Sequence, residues 1–320
     1  MKMKKVLAMT LALIMILGLA ACGGAAQEGF TVDKVTATYV SSPLNVPSIL
    51  EKNEGSMAAM YKEMGLDFGY SDLTSGADQT AALASGDIQI LNAVGGASVL
   101  LAAANGADIK VISMYSRAPG AFAMFSLDDS LTTPESLKGK SIAGPKGTNL
   151  HELLVAYLAT AGMSISDVNY VSMDIPSALS AMEAGSVDVA LLGGAAAYNA
   201  EKAGRHKICD GEGLIAATIC TATSQDFYDK NPEIIHAFVD NQARILKYME
   251  ENHDEAVAIT AKAIDTPVAD VEAMLPLYNF SMEISQEDLD LFQATEAFLY
   301  DNGMIENHVN VRDLVLELKK

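Results

Sequence analysis

The chain has 320 residues, with 21 Lys or Arg against 41 Asp or Glu, and its formal net charge at pH 7 is −20. Such an acidic surface argues against nucleic acid and anionic membranes as binding partners. The length allows one large domain, or two of ordinary size, with substantial cores.

The N-terminal residues have the pattern of a bacterial lipoprotein signal. Lysines precede the uncharged run VLAMTLALIMILGLA, residues 6–20, which is short for a membrane-spanning helix. The following LAAC matches a lipobox, in which the cysteine, here Cys22, takes a diacylglycerol and becomes the mature N-terminus. We predict a signal peptide over residues 1–21 and a lipidated tether over residues 22–29; a plain signal peptide is the alternative. The lipid would anchor the protein to the outer face of the bacterial cell membrane without spanning it.

Strand and helix patterns alternate after the tether. The predicted strands are, in chain order, VTATYV, LDFGYSDL, IQILNAV, IKVISMY, FAMFSL, SIAGP, VNYVSM and VDVALL. The helices between them end at glycines, and the first is expected to run from Ile49 to Met64. This alternation with short glycine turns is typical of parallel α/β architecture. From Asp226 onward the chain is predicted to be mainly helical.

One strand–turn–helix pattern occurs twice. The sequence ALASGDIQILNAVGGASVLLAAANG is nearly repeated later as AMEAGSVDVALLGGAAAYNAEKAG. Ligands of open parallel sheets bind beyond the carboxyl ends of the strands, where a helix start offers unpaired N–H groups with a partial positive charge. The two copies predict two lobes that face each other across one cleft suited to an anionic or strongly polar ligand. The alternative is that these turns need small residues for local reasons only.

Longer motifs resemble a known family. The segment SLKGKSIAGPKGTNLHELLVAYLATAG, residues 136–162, is similar to an element of the solute-binding lipoproteins of ABC importers, in the nitrate/sulfonate/taurine and thiamine-pyrimidine-precursor group. ALASGDIQI, AMEAGSVDVALL and DFYDKNPEIIHAFVDN resemble further elements of that group, in the same order. One departure is Gln89, which stands where the family usually has an acid, whereas Asp188 keeps it.

The resemblance implies a bilobal, type II-like periplasmic-binding-protein fold. It would have two parallel-sheet α/β lobes, two crossovers and a helical C-terminal part. We expect lobe 1 to contain residues 30–117 and 218–320, and lobe 2 to contain residues 118–217. The lobes would close on the ligand by hinge motion and dock on the permease of an ABC importer. The protein is expected to be a monomer.

The candidate ligand-binding residues lie at predicted strand ends and helix starts. They are Ser41, Ser42, Leu44, Asn45, Gly95, Gly96, Ala97, Ser98, Arg117, Thr148, Asn149, His151, Asp174, Gly194 and Ala195. For the first four, SSPLN is equally consistent with a solvent-facing turn.

Several of the other polar candidates have a structural alternative. Ser98 offers a hydroxyl and a helix-start N–H, or only caps its own helix, and Thr148 is open to the same alternative. His151 either donates to an anionic head group or is a structural histidine. The Arg117 guanidinium could clamp a sulfonate or carboxylate, or form an ion pair. Asp174 could hold a ligand amine.

No motif of an enzyme, metal site or cofactor site is recognisable. The sequence lacks GxSxG, HExxH and a P-loop, its five histidines are dispersed, and it has no CxxC. Cys209 and Cys220 could form a disulfide outside the cytosol, but their apolar strand-like surroundings favour free thiols. We therefore expect a protein that is not an enzyme and that uses no metal or cofactor.

The expected function is capture of a small anionic ligand, such as a sulfonate, taurine or nitrate, for delivery to an ABC importer. A thiamine-pyrimidine-like heterocycle is the alternative ligand. An extracytoplasmic enzyme or sensor on the same scaffold is the alternative class of protein.

Overall fold

The computed structural model describes residues 29–40, 44–73 and 75–319. The signal peptide, Cys22 and the tether to residue 28 lie outside the described residues, as do Ser41 and Ser42. From Val32 to Lys320 the chain forms one compact unit. Among the helices that the structure describes, none has the length and apolar character that a membrane span requires.

Ten strands occur in the described residues. They are β1 (Lys34–Thr38), β2 (Asp67–Ser71), β3 (Leu91–Gly95), β4 (Lys110–Arg117), β5 (Phe122–Ser126), β6 (Ser141–Gly144), β7 (Asn169–Ser172), β8 (Val189–Gly193), β9 (His206–Asp210) and β10 (Thr218–Thr223).

Helices connect most of the strands and make up the C-terminal part. They are α1 (Val46–Glu54), α2 (Ser56–Glu63), α3 (Gly76–Ser85), α4 (Gly96–Ala104), α5 (Asn149–Ala159), α6 (Ile175–Glu183), α7 (Ala195–Lys202), α8 (Gln225–Lys230), α9 (Pro232–Glu251), α10 (His253–Ala263), α11 (Val268–Met274), α12 (Gln286–Asp301) and α13 (Val311–Leu314). The single helix predicted from Ile49 to Met64 is two helices, because Gly55 takes a left-handed conformation with φ 74° and ends α1.

The strands form one sheet in the second lobe and two sheets in the first. The second lobe has a five-stranded sheet with the order β7-β6-β8-β5-β9. The first lobe has a three-stranded sheet, β3-β10-β4, and a parallel pair, β1-β2. A parallel bridge between Ala37 and Ile90 joins the pair to the chain just before β3.

The five-stranded sheet is mixed and the strand pairs of the three-stranded sheet are antiparallel, which corrects the prediction of parallel sheets. β5 runs antiparallel to β8 and β9, and β10 runs antiparallel to β3 and β4. Each is the first strand after the chain crosses from one lobe to the other. The chain leaves one sheet at the carboxyl ends of its strands and enters the other sheet where that sheet's strands have their carboxyl ends. The first strand after the crossover therefore runs antiparallel to its neighbours.

The C-terminal helices complete the first lobe. Phe292 and Leu299 of α12 are buried in one apolar cluster with Val94 of β3 and Leu100 of α4. This packing fixes the start of α4 relative to β10. The helical C-terminal part predicted from the sequence is present.

Candidate functional site

A small cavity lies between the lobes, at the carboxyl ends of the strands. Its volume is about 70 Å³. The polar side chains in its lining are those of Asn45, Gln79, Ser98, Thr148 and Asn149, and no charged side chain of the described residues belongs to the lining. Apolar residues from both lobes close the rest of the wall. The cavity therefore offers neutral hydrogen-bonding groups and carries no side-chain charge.

Several helices begin at this cavity. Gly95 precedes α4 and Thr148 precedes α5, and neither residue caps its helix by a side-chain hydrogen bond. Asn45 precedes α1, but there Pro47 has no N–H and the Ser48 N–H donates to the Tyr115 hydroxyl at 3.2 Å. The first N–H groups of a helix have no partner within the helix, and the helix dipole adds a partial positive charge there. Two uncapped helix starts at one cavity, those of α4 and α5, create a positive potential without any basic side chain. Such a site suits an anion.

Hydrogen bonds across the cavity join the two lobes. The Ser98 hydroxyl of α4 donates to the carbonyl of Gly147 in the loop before α5. The Asn149 amide nitrogen donates to the carbonyl of Thr218 in β10, at 3.4 Å. Ser98 therefore does not cap its own helix, and the structure shows the lobes in contact with each other.

Two glycines permit this close approach. A Cβ on Gly76 would collide with the Ser98 hydroxyl and lie 2.8 Å from the Gly147 carbonyl oxygen. A Cβ on Gly96 would collide with the Thr218 hydroxyl and lie 3.0 Å from the Phe292 ring. The glycine at the start of α4 is therefore required by packing between α4, β10 and α12.

Five of the residues predicted from the sequence line the cavity. They are Asn45, Gly95, Ser98, Thr148 and Asn149. The Thr148 hydroxyl does not cap α5 but donates to the carbonyl of Pro145, at 2.8 Å. Leu44 and Ala97 lie next to lining residues in the chain, but their side chains are buried in the apolar cores.

Arg117 lies outside this lining. Its guanidinium donates to both carboxylate oxygens of Asp288, each at 2.6 Å, and to the carbonyls of Ser281 and Glu283. Burial alone would raise the pKa of Asp288, but hydrogen bonds from Arg117 and Ser285 outweigh it and hold this pKa below its ordinary value. The structure thus favours the ion pair over the ligand clamp for Arg117.

His151 is buried behind the start of α5. The Gly147 N–H points to its Nδ1 at 3.4 Å, and its ring stacks on Tyr170 with a centroid separation of 4.8 Å. Burial and the nearby Lys146 lower the pKa of His151 to about 4, so the ring is neutral at neutral pH. The structure favours the structural histidine among the two alternatives.

The remaining predicted residues lie at the second glycine turn and at α6. Asp174 is exposed and caps α6 by accepting from the Ser177 N–H at 2.8 Å, which lowers the pKa of Asp174. The Gly194 N–H donates to the Ala121 carbonyl, and Ala195 packs against the apolar core. Neither turn residue lines the cavity, because Phe122, which pairs with Gly193 in the sheet, lines it there.

The sequence reasoning missed Gln79, which lines the cavity from the first turn of α3. The rule that ligands bind at helix starts after strand ends could have identified Gln79, because α3 is the helix that follows the strand DFGYS. Cys209 and Cys220 are free and do not line the cavity. Burial raises the pKa of both Cys209 and Cys220 to about 12, so both thiols are protonated at neutral pH.

Two α/β lobes joined by two crossovers, with a cavity between them, define a periplasmic-binding-protein fold. The family model described as NMT1/THI5 like matches residues 58–256, and the chain belongs to this family. The family and the fold class predicted from the sequence are thus confirmed.

Curated relatives and solved structures are similar to this chain over different lengths. The chain is 30% identical over 208 residues to the taurine-binding periplasmic protein of Escherichia coli (strain K12), a match that covers 64% of this chain and 62% of that protein. It is 22% identical over 277 residues to a putative aliphatic sulfonates-binding protein of the same organism, covering 85% of each. The structure of the alkanesulfonate-binding protein SsuA from Xanthomonas axonopodis pv. citri bound to MOPS superposes with a TM-score of 0.79, at 21% identity, over 89% of this chain and 98% of that one.

Proposed function

We propose that the protein is an extracytoplasmic solute-binding protein that captures a small anion, of the sulfonate class, and delivers it to the permease of an ABC importer. The observation that carries the proposal is the meeting of two uncapped helix N-termini, those of α4 and α5, at a cavity whose described lining has no charged side chain. The names of the relatives, taurine-binding and aliphatic sulfonates-binding, support the same ligand class.

The proposed mechanism is closure of the lobes over the ligand. The first N–H groups of α4 and α5 replace the water around the anion, and no covalent bond forms. The Ser98 hydroxyl holds the closed lobes together through the Gly147 carbonyl. We place the hinge at the two crossovers, where the Ala118 N–H donates to the Ala217 carbonyl at 3.4 Å. The lobes would then consist of residues 30–117 with 218–320, and of residues 118–217.

The proposal includes an anchor and an assembly state. We propose that Cys22 carries the lipid that holds the mature protein at the outer face of the cell membrane. A single anchored copy of the chain would present both lobes to the permease. Mass spectrometry of the protein purified from membranes tests this part, because diacylation shifts the mass of the N-terminal peptide and a plain signal peptide leaves it unmodified.

A thermal-shift screen of the mature protein tests the ligand class. The panel contains alkanesulfonates, taurine, nitrate, bicarbonate, carboxylates and pyrimidines. A ligand at 100 times its Kd stabilises the folded protein by about 2.7 kcal/mol, which raises Tm measurably. We expect stabilisation by sulfonates; stabilisation by pyrimidines alone would contradict the proposal.

A pair of glycine variants tests the location of the ligand. Gly95 has φ −66°, which any residue can adopt, and a Cβ there would lie 3.1 Å from the Asn149 amide oxygen. Gly95→Val therefore fills the cavity, and we expect it to abolish the thermal shift. The matched control is Gly69→Val in β2, where the added Cβ meets only the end of the Lys34 side chain. Equal thermal shifts in both variants would place the ligand elsewhere.

A further inference from the structure

Three buried amide side chains in the cavity lining have an unused oxygen. Asn45, Gln79 and Asn149 are 1%, 3% and 3% exposed. Their amide oxygens are three of the six buried side-chain polar atoms for which the described part of the chain provides no hydrogen-bond partner. Half of these atoms therefore lie at one small cavity.

The hydrogen bonds of the three amide nitrogens show that the amide oxygen is the atom without a partner. The amide nitrogen of Asn45 donates to the Val40 carbonyl at 2.6 Å, and that of Gln79 donates to the Leu73 carbonyl at 2.8 Å. The amide nitrogen of Asn149 donates to the Thr218 carbonyl. Turning any of these amides over would place its oxygen against a carbonyl oxygen, so each side chain offers an acceptor to the cavity.

These acceptors need hydrogen-bond donors. A buried acceptor without a partner is costly, and a bare anion cannot satisfy it, because a sulfonate or nitrate only accepts hydrogen bonds. The anion pairs with the helix N–H groups instead. The acceptors would therefore be satisfied by a second group of the ligand that carries N–H or O–H.

The geometry limits the distance between the two ligand groups. The Asn149 amide oxygen lies 3.1 Å from the position that a Cβ on Gly95 would take, directly beside the start of α4. The cavity volume of about 70 Å³ admits only a short molecule. Acceptor and anion site are therefore within reach of a ligand with a short spacer.

We propose that the ligand is a small bifunctional anion whose second end carries an amino or hydroxyl group, and that Asn45, Gln79 and Asn149 determine specificity for that donor. This inference rests on the proposed function, since it assumes that the anion binds at the helix starts. Because the acceptors are neutral amides and no carboxylate belongs to the described lining, hydrogen bonds rather than an ion pair recognise the donor.

Calorimetric titration of the mature wild-type protein with three matched sulfonates tests the inference. The probes are 2-aminoethanesulfonate (taurine), 2-hydroxyethanesulfonate and 1-propanesulfonate, which end in an amine, a hydroxyl and a methyl group on the same spacer. We expect at least one of the first two to bind about tenfold or more tightly than 1-propanesulfonate, because the methyl group leaves the buried acceptors unpaired. The relative affinities of the first two tell whether the donor is an amine or a hydroxyl.

The outcomes separate this inference from the proposed function. If 1-propanesulfonate binds as tightly as both donor-bearing probes, the anion site stands and the inference is wrong. If none of the three sulfonates binds, the proposed function fails and the inference fails with it.

A matched pair of glutamine variants tests the residue assignment. Gln79→Met removes one unused acceptor at similar side-chain size, and we expect the affinity ratio between the preferred probe and 1-propanesulfonate to fall by about threefold or more. The control is Gln89→Met, because the Gln89 amide lies outside the lining, accepts from the Thr36 N–H and donates to the Gly86 carbonyl. An unchanged ratio in folded Gln79→Met would overturn the role of Gln79.

Discussion

The chain contains the strand–Gly-Gly–helix pattern twice, and the two copies place different groups at the cavity. In the first copy, Gly95 ends β3 in an extended conformation, and α4 begins at the cavity lining. In the second copy, Gly194 has φ 56° and its N–H donates to the Ala121 carbonyl of the crossover. The second lobe instead contributes the start of α5, which follows β6.

The difference shows that the glycine turn before a helix faces the cavity only where no neighbouring side chain covers it. β3 pairs with β10 on one side, β1 is bridged to Ile90 just before β3 on the other, and the last residue of β3, Gly95, lines the cavity. β8 lies inside its sheet, and the side chain of Phe122 on the adjacent β5 lines the cavity beside Gly193. The same local sequence thus serves packing in one lobe and lines the proposed ligand site in the other.

The largest expected effect is on stability, at the first residue of each helix. Gly96→Val should destabilise the protein by about 1–3 kcal/mol, because its Cβ collides with Thr218 and presses on Phe292. Ala195→Val, at the start of α7, should cost less than about 1 kcal/mol because Ala195 is only partly buried. Urea unfolding without ligand measures both. Equal losses would mean that the two helix starts are packed alike.

The next effect is the pH dependence of stability, and it concerns the first turn of α5, the helix that begins at the cavity from the second lobe where α7 does not. The fourth residue of α5 is the buried Glu152, whereas the fourth residue of α7 is Tyr198. Burial raises the pKa of Glu152 to about 7, against a hydrogen bond with Thr295 that lowers it. The folded state therefore holds this proton more tightly than the unfolded state, so the stabilisation is complete at acidic pH and is lost as the pH rises through about 7.

The variant Glu152→Gln tests that sign. It should be more stable than wild type at pH 8, by about 1–3 kcal/mol, and should lose this advantage toward pH 4. Urea unfolding of both proteins at the two pH values measures the difference. A variant that is less stable than wild type at pH 8 would show that the carboxylate is stabilised in the folded protein.

The smallest expected effect is on ligand affinity, and it compares the third residue after the strand in the two copies. Ser98→Ala removes the hydrogen bond to Gly147 across the cavity, and we expect ligand affinity to fall by about three- to tenfold. The residue in the equivalent place of the second copy is Ala196, and Ala196→Ser should leave the affinity unchanged. Titration with the preferred sulfonate compares the two. A gain of affinity in Ala196→Ser would show that the second copy also reaches the ligand.

The fold was largely predictable because each strand and helix has a local signal in the sequence. β-branched alternation identified β1, the apolar runs IQILNAV and VDVALL identified β3 and β8, and glycines marked the helix ends. The direction of β5 and β10 was not predictable from these signals, since it depends on the path of the chain between lobes. The break at Gly55 depends on one residue in a left-handed conformation within an otherwise continuous helical pattern.

The candidate site was predictable only in part. The rule that ligands meet helix starts at strand ends identified Ser98, Thr148 and Asn149, which line the cavity. It also selected Arg117, whose partner Asp288 lies 171 residues away in the chain and cannot be recognised from local sequence. Which of several helix starts converge is a property of sheet order.

A crystal structure of the mature protein with a bound alkanesulfonate tests the central claim most directly. We expect the sulfonate oxygens within about 3.2 Å of the first backbone N–H groups of α4 and α5, in the cavity that Gly95 and Asn149 line. A sulfonate bound instead at Arg117 or at the start of α7, with this cavity unoccupied, would contradict the account.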